Sequence, residues 1–245
     1  MQLAHQVALV TGGGSGLGRA MAIGLAREGA SVVVADVLGL QAKAVAAEIK
    51  DEGHRAIPMK LDVTKKKEVE RVFAKAESLL GPLDILVNNV GIWPLSPVSS
   101  MKEEDWDRVI DTNLKGVLLC SQAAIRSMVS RRKGRIVNIA SGRGIVGSPV
   151  GAHYAASKAG VMAFTRSLSL ELAEVGINVN AIAPGATDTP AWRAGVPARE
   201  REEQLRKTSL AERIGKPEDI VGTLIYLVTE ASRYVTGQTF FLKTP

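Results

Sequence analysis

The chain reads as an α/β protein built on a doubly wound, seven-stranded parallel sheet. Three observations predict this. Short apolar runs and longer amphipathic stretches alternate from end to end, without linker, repeat or low-complexity break. Runs such as Ser31-Val-Val-Val-Ala show no polar alternation, as expected of strands covered on both faces. A glycine-rich turn, Thr11-Gly-Gly-Gly-Ser-Gly-Leu-Gly18, joins the first strand to the first helix, where such folds hold phosphate-bearing ligands.

Taken in order, strands are predicted at Val7–Thr11, Ser31–Asp36, Ala56–Leu61, Ile85–Asn88, Arg135–Ala140, Asn178–Ile182 and Thr239–Leu242. Helices are predicted at Leu17–Glu28, Leu40–Asp51, Lys66–Leu80, one long stretch Glu103–Arg132, then Tyr154–Val175 and Pro217–Thr229. Residues 185–209 break the rhythm, with Pro190, Gly195 and Pro197 followed by a charged helical piece, Ala198–Lys207. An insert of this length at a strand's C-terminal end reads as a substrate lid. The 245 residues fit one domain.

Composition narrows the function classes. With 46% hydrophobic and 23% charged residues the chain resembles an ordinary globular protein with a sizeable core. Cys120 is the single cysteine, so no intrachain disulfide forms, and its apolar helical setting reads as core filling. The net charge of +6 raises the question of nucleic acid. However, Lys65-Lys66-Lys67 is followed by Glu68 and Glu70, and Arg131-Arg132-Lys133 sits at a helix C-terminus, where cations are favoured. Aromatic residues make up 4%, too few for a stacking surface. No run has membrane-spanning length, and the first strand begins almost at once, so a cytoplasmic protein is expected. His5 and His54 lie outside the motifs and suggest no metal cluster.

The chemistry-bearing residues fall at strand ends. In the first turn Gly12, Gly16 and Gly18, with Ser15 and Leu17 between them, suit a tight turn that aims backbone amides at a pyrophosphate. Asp36 ends the second strand, where a carboxylate accepts hydrogen bonds from ribose hydroxyls and repels a 2′-phosphate, which favours NAD over NADP. Asp62-Val63 closes the third strand and Asn88-Asn89-Val90-Gly91 the fourth. Tyr154 and Lys158 in Tyr-Ala-Ala-Ser-Lys share one helical face. A nearby ammonium favours a phenolate, and a phenol so tuned exchanges protons at ordinary pH. Moving a tyrosine from about 10 to roughly 7 takes about 4 kcal/mol of differential stabilisation.

Together these motifs resemble the short-chain dehydrogenases/reductases over nearly the whole chain, through Thr236-Gly237-Gln238-Thr239. The resemblance implies a Rossmann-type domain, a homotetramer or homodimer, and hydride exchange between a nicotinamide dinucleotide and a small alcohol or ketone. It implies that Asp62 and Val63 contact adenine and that Asn89, Val90 and Gly91 line the ribose, with Val90 replacing the family's usual alanine. It carries the catalytic set over to Asn113, Ser141, Tyr154 and Lys158. Tyr154 becomes the proton carrier, Lys158 lowers its pKa and holds the ribose, Ser141 orients the carbonyl and Asn113 holds a water. Pro184, Gly185, Thr187 and Thr189 would approach the carboxamide and phosphates. Trp93, Arg143, Ile145, His153 and Trp192 are candidates to face substrate. The end of the chain lacks the Asp-Gly-Gly that often follows the last strand in relatives. A β-ketoacyl thioester reductase shares every catalytic motif, though Asp36 runs against that class's NADPH preference. A catalytically silent dinucleotide-binding regulator is the reading from another class, and the intact tetrad weighs against it.

Overall fold

A computed structural model describes residues 1–195 and 213–242. Its sheet holds β1 (Val7–Thr11), β2 (Ser31–Asp36), β3 (Ala56–Lys60), β4 (Ile85–Asn88), β5 (Gly134–Ile139), β6 (Ile177–Ala183) and β7 (Thr239–Phe241). All pairings are parallel, in the order β3-β2-β1-β4-β5-β6-β7. Leu9 of β1 lies between Val33 and Leu86, which fixes the register at the centre. The predicted strands are all present, three with the predicted bounds and four with ends shifted by one residue.

The alternation of side chains along each strand builds two cores. Ala8, Val10, Val32 and Val34 face Met21 and Leu25 of α1 (Gly16–Arg27), Ile49 of α2 (Gly39–Asp51) and Leu224 near the C-terminus. Leu9, Val33, Leu86, Ile136 and Val179 face the opposite layer. That layer comprises Phe73 of α3 (Lys66–Leu80), Cys120 and Met128 of α5 (Gly116–Arg131), and Leu168 of α7 (Ala152–Leu172). Burial of a Leu or Phe side chain contributes about 1.5–3 kcal/mol, so both layers hold the sheet. Cys120 is a core filler, its thiol pushed up to about 12 by burial. Among the described residues no helix is long and apolar enough to cross a membrane.

The long helix expected over Glu103–Arg132 is interrupted. α4 (Glu103–Ile110) passes into a π-turn at Asp111–Lys115 before α5 begins. The basic run at the end of α5 is committed within the fold: Arg131 and Lys133 reach Asp84 at 2.8 and 3.6 Å, and Arg132 donates to the Glu174 carbonyl. The predicted Ala198–Lys207 helix lies outside the described residues. Thr187, near the start of the insert, forms a parallel bridge with Gly215, which lies beyond its end.

Candidate active site

The strand order reverses between β1 and β4, and ligands of open α/β sheets bind in the crevice beyond such a point. The loops after both strands lie there and are tied together. Thr11 Oγ1 donates to the Val87 carbonyl and accepts from the Asn89 amide at 3.0 Å. The Asn89 side-chain amide donates to the Thr11 and Gly12 carbonyls at 3.0 and 3.1 Å. Asn89 thus clamps the glycine turn, and its Nδ2 is spent on that turn rather than on a ribose.

Each motif glycine meets a backbone requirement. Gly12 and Gly16 have φ of +62° and +52°, and a Cβ on Gly18 would come within 2.0 Å of the Gly12 carbonyl. No side chain caps α1, so its first amides, at Gly16, Leu17 and Gly18, are free donors beside the crevice. Leu17 turns its side chain to the core. This uncapped helix end fits a dinucleotide pyrophosphate.

Asp36 is 8% exposed, and its carboxylate accepts from the Gly14 and Leu38 amides, each at 2.9 Å. The acid therefore stands directly over the glycine turn. Asp62 closes an Asx turn, accepting from Thr64 N and Oγ1 at 2.9 and 2.7 Å. The Val63 side chain is buried in the core, packed where Gly116 leaves no room for a Cβ, so only its backbone is left for an adenine. Val90 packs partly against the same layer.

The remaining residues gather on α7. Ser141 follows β5 and its hydroxyl hydrogen-bonds the Tyr154 phenol. The short helix α6 (Arg143–Val146) presses onto α7 because Gly144 has no Cβ; one would lie 2.7 Å from Ala159 N. Lys158 is 4% exposed, donates to the Ile139 carbonyl at 2.7 Å, and lies 5.9 Å from the Tyr154 ring centre. Gly91 gives the ammonium room, since a Cβ there would lie 3.2 Å from Nζ. Asn113, fully buried in the π-turn, accepts from Ile92 N at 2.8 Å and donates to Ile92 O and Ser157 Oγ. Its Nδ2 protons are both used, and it braces the β4 loop against α7. π-turns cluster at functional sites, and this one turns Asn113 inward.

Burial raises the Tyr154 phenol above its ordinary value, opposed by the Ser141 hydrogen bond and the Arg143 charge. The Lys158 ammonium is held down to about 8, because burial disfavours its charge.

Of the predicted substrate-facing residues, Trp93 lies against Tyr154 with ring centres 6.1 Å apart, and it also packs on Gly195. Arg143 and Ile145 are exposed on α6. His153 is fully buried; its Nδ1 accepts the Tyr154 backbone N–H at 2.9 Å, and its Nε2 has no hydrogen-bond partner among the described residues. Trp192 sits on α8 (Pro190–Gly195), where its backbone N–H donates to Thr189 Oγ1. It makes no ring contact among the described residues. Thr189 rests on Gly16, while Thr187 Oγ1 donates to the Gly185 carbonyl that follows Pro184. These bonds bring the base of the insert against the glycine turn.

Sequence reasoning missed a buried polar chain behind the site. Asn88 donates to Asn138 at 2.9 Å and to Ser121 at 3.2 Å, and Asn138 donates to Thr165 at 2.9 Å. The signal was available: each asparagine follows an apolar pair in a strand buried on both faces, where its amide must find a partner.

A parallel sheet with an uncapped helix beyond its first strand, and a tyrosine, serine and lysine beyond its fifth, defines a dinucleotide-dependent oxidoreductase. Comparison with known proteins gives the family. The short chain dehydrogenase family model matches residues 6–200, and the chain belongs to that family. It is 40% identical over 238 residues to the 3-oxoacyl-[acyl-carrier-protein] reductase FabG of Thermotoga maritima, covering 97% of this chain and 96% of the relative. It is 38% identical over 242 residues to the (2S)-[(R)-hydroxy(phenyl)methyl]succinyl-CoA dehydrogenase subunit BbsD of Thauera aromatica, covering 99% and 96%. Among solved structures, a putative gluconate dehydrogenase from Agrobacterium tumefaciens superposes with a TM-score of 0.95 at 36% identity, over 99% of this chain and 96% of that one.

Proposed function

We propose that this enzyme interconverts a secondary alcohol and a ketone with NAD, using Tyr154 as the proton carrier. The observation that carries the reading is the convergence of Ser141, Tyr154 and Lys158 on one cleft beside the glycine turn. When bound, the nicotinamide dinucleotide accepts or supplies the hydride. In reduction the Tyr154 phenol donates its proton to the carbonyl oxygen, and in oxidation the phenolate takes the hydroxyl proton. Ser141 Oγ, already bonded to the phenol, holds the substrate oxygen beside it. Lys158 is anchored by Ile139 O and, when protonated, has further protons for a ribose hydroxyl. Asn113 positions the loop that carries Gly91 against Lys158.

Asp36 supports NAD. A 2′-phosphate would meet a carboxylate fixed by two amides, a like-charge clash that disfavours NADP. The second reading is 3-oxoacyl thioester reduction, favoured by the 40% identity to a FabG over nearly the whole chain. A panel of alcohols, ketones and β-ketoacyl thioesters, followed at the NADH absorbance with NAD(H) and NADP(H) in parallel, tests both. The proposal expects higher kcat/KM with NAD(H) and turnover of simple ketones. Exclusive use of NADPH with thioesters would replace it by the second reading.

A further inference from the structure

Arg143 opens α6 two positions beyond Ser141, and its backbone N–H donates to Ser141 Oγ at 3.2 Å. Its side chain is exposed, with one long bond at 3.4 Å from Nη1 to the Gly147 carbonyl. No carboxylate among the described residues pairs with it. Arg193 and Arg213, by contrast, are committed to carboxylates. Arg193 places two nitrogens on Asp188 at 2.6 and 2.7 Å, and Arg213 does the same with Asp219 at 2.6 and 2.9 Å. Arg143 thus stands beside the Ser141 hydroxyl, and its charge is among those that bear on the Tyr154 phenol. Around them stand apolar groups: Trp93 against the tyrosine, and the exposed Ile145 and Val150.

An exposed guanidinium without a carboxylate partner presents a planar fork of donors matched to a carboxylate. The geometry points to Arg143 as the anchor for a carboxylate on the substrate, which makes the substrate class hydroxy acids and keto acids with an apolar body. This rests on the proposed alcohol–ketone chemistry and adds the charge of the molecule that undergoes it. The carboxylate would sit on Arg143 while the reacting oxygen sits between Ser141 and Tyr154. Binding of the acid form then depends on charge in a way that binding of its ester does not.

The test compares matched pairs, each a keto acid and its methyl ester, reduced by the intact enzyme. Wild type is expected to prefer the acid by kcat/KM. The acid-to-ester ratio should fall about 10- to 100-fold in Arg143→Gln, mostly through KM, and recover in part in Arg143→Lys. A second measurement needs no variant. Raising ionic strength from 0.01 to 1 M shortens the Debye length from about 30 to about 3 Å, so KM for the acid should rise while the ester's stays level. An acid-to-ester ratio that is unchanged by Arg143→Gln and by salt overturns the carboxylate site and leaves the dehydrogenase reading standing. Absence of turnover for every acid, ester and neutral ketone overturns both.

Discussion

At Asp36 one carboxylate serves two ends. Its oxygens hold the Gly14 and Leu38 amides, which shapes the glycine turn, and in the proposed reading its charge meets a ribose 2′ group. Asp36→Ser is expected to raise the NADP-to-NAD ratio of kcat/KM at least about tenfold, since a like-charge clash is removed. It should also cost about 1–3 kcal/mol of stability, because two amides lose a charged acceptor in a largely buried place. Steady-state kinetics with both cofactors and urea melts check the two halves separately. An unchanged cofactor ratio would detach Asp36 from cofactor choice. The position of Asp36 beside the glycine turn was legible in sequence because a strand-ending acid after such a turn carries its own physical reason. The burial of His153 was not, since adjacency to Tyr154 says nothing about direction once both residues enter a helix.

At the scale of elements, the turn between β1 and α1 and the π-turn before α5 carry the site. The first tolerates no side chain at Gly18, where a Cβ would meet the Gly12 carbonyl at 2.0 Å. Gly18→Ala is expected to abolish measurable dinucleotide binding in a fluorescence titration and to lower the melting temperature. Gly222 offers the contrast. It lies in the helix Val221–Val228 with open space where a Cβ would go, so Gly222→Ala should stabilise by up to about 1 kcal/mol through helix propensity. A Gly18→Ala variant that binds cofactor normally would contradict the turn's assigned geometry. The spacing of Gly12, Gly16 and Gly18 made the turn readable from sequence. The π-turn was hidden, because inserting one residue into a helical ladder leaves no mark on apolar periodicity over so few residues.

For the whole molecule, the two cores and the Asn88–Asn138–Thr165 chain hold the sheet as a rigid platform on which the site's loops are pinned. Apolar runs told of the two-sided sheet, but the chain of buried asparagines depends on which strands are neighbours, and topology alone supplies that. Lys158, buried in this platform, links stability to pH. Its folded value of about 8 lies below the ordinary 10.5, so between these values the unfolded chain holds a proton that the folded chain has released. Stability is therefore expected to rise with pH across that window, by up to about 3 kcal/mol, and Lys158→Met should lose the rise. Above 10 the raised Tyr154 value acts with the opposite sign, as the folded state then retains the extra proton. Urea midpoints measured at intervals from pH 7.5 to 9.5 read the lysine contribution. A flat profile in the wild type would contradict it.

Tyr154 is where the platform, the turn and the Ser141 hydrogen bond converge, and the account stands on its phenol carrying the proton. The direct measurement is kcat for Tyr154→Phe against wild type, with the cofactor and the best alcohol of the panel both saturating. The phenyl ring keeps the contact with Trp93 and loses only the hydroxyl that bonds Ser141. A fall of about 10²- to 10⁴-fold, with cofactor affinity preserved, is the result this account predicts. Turnover close to wild type would contradict it.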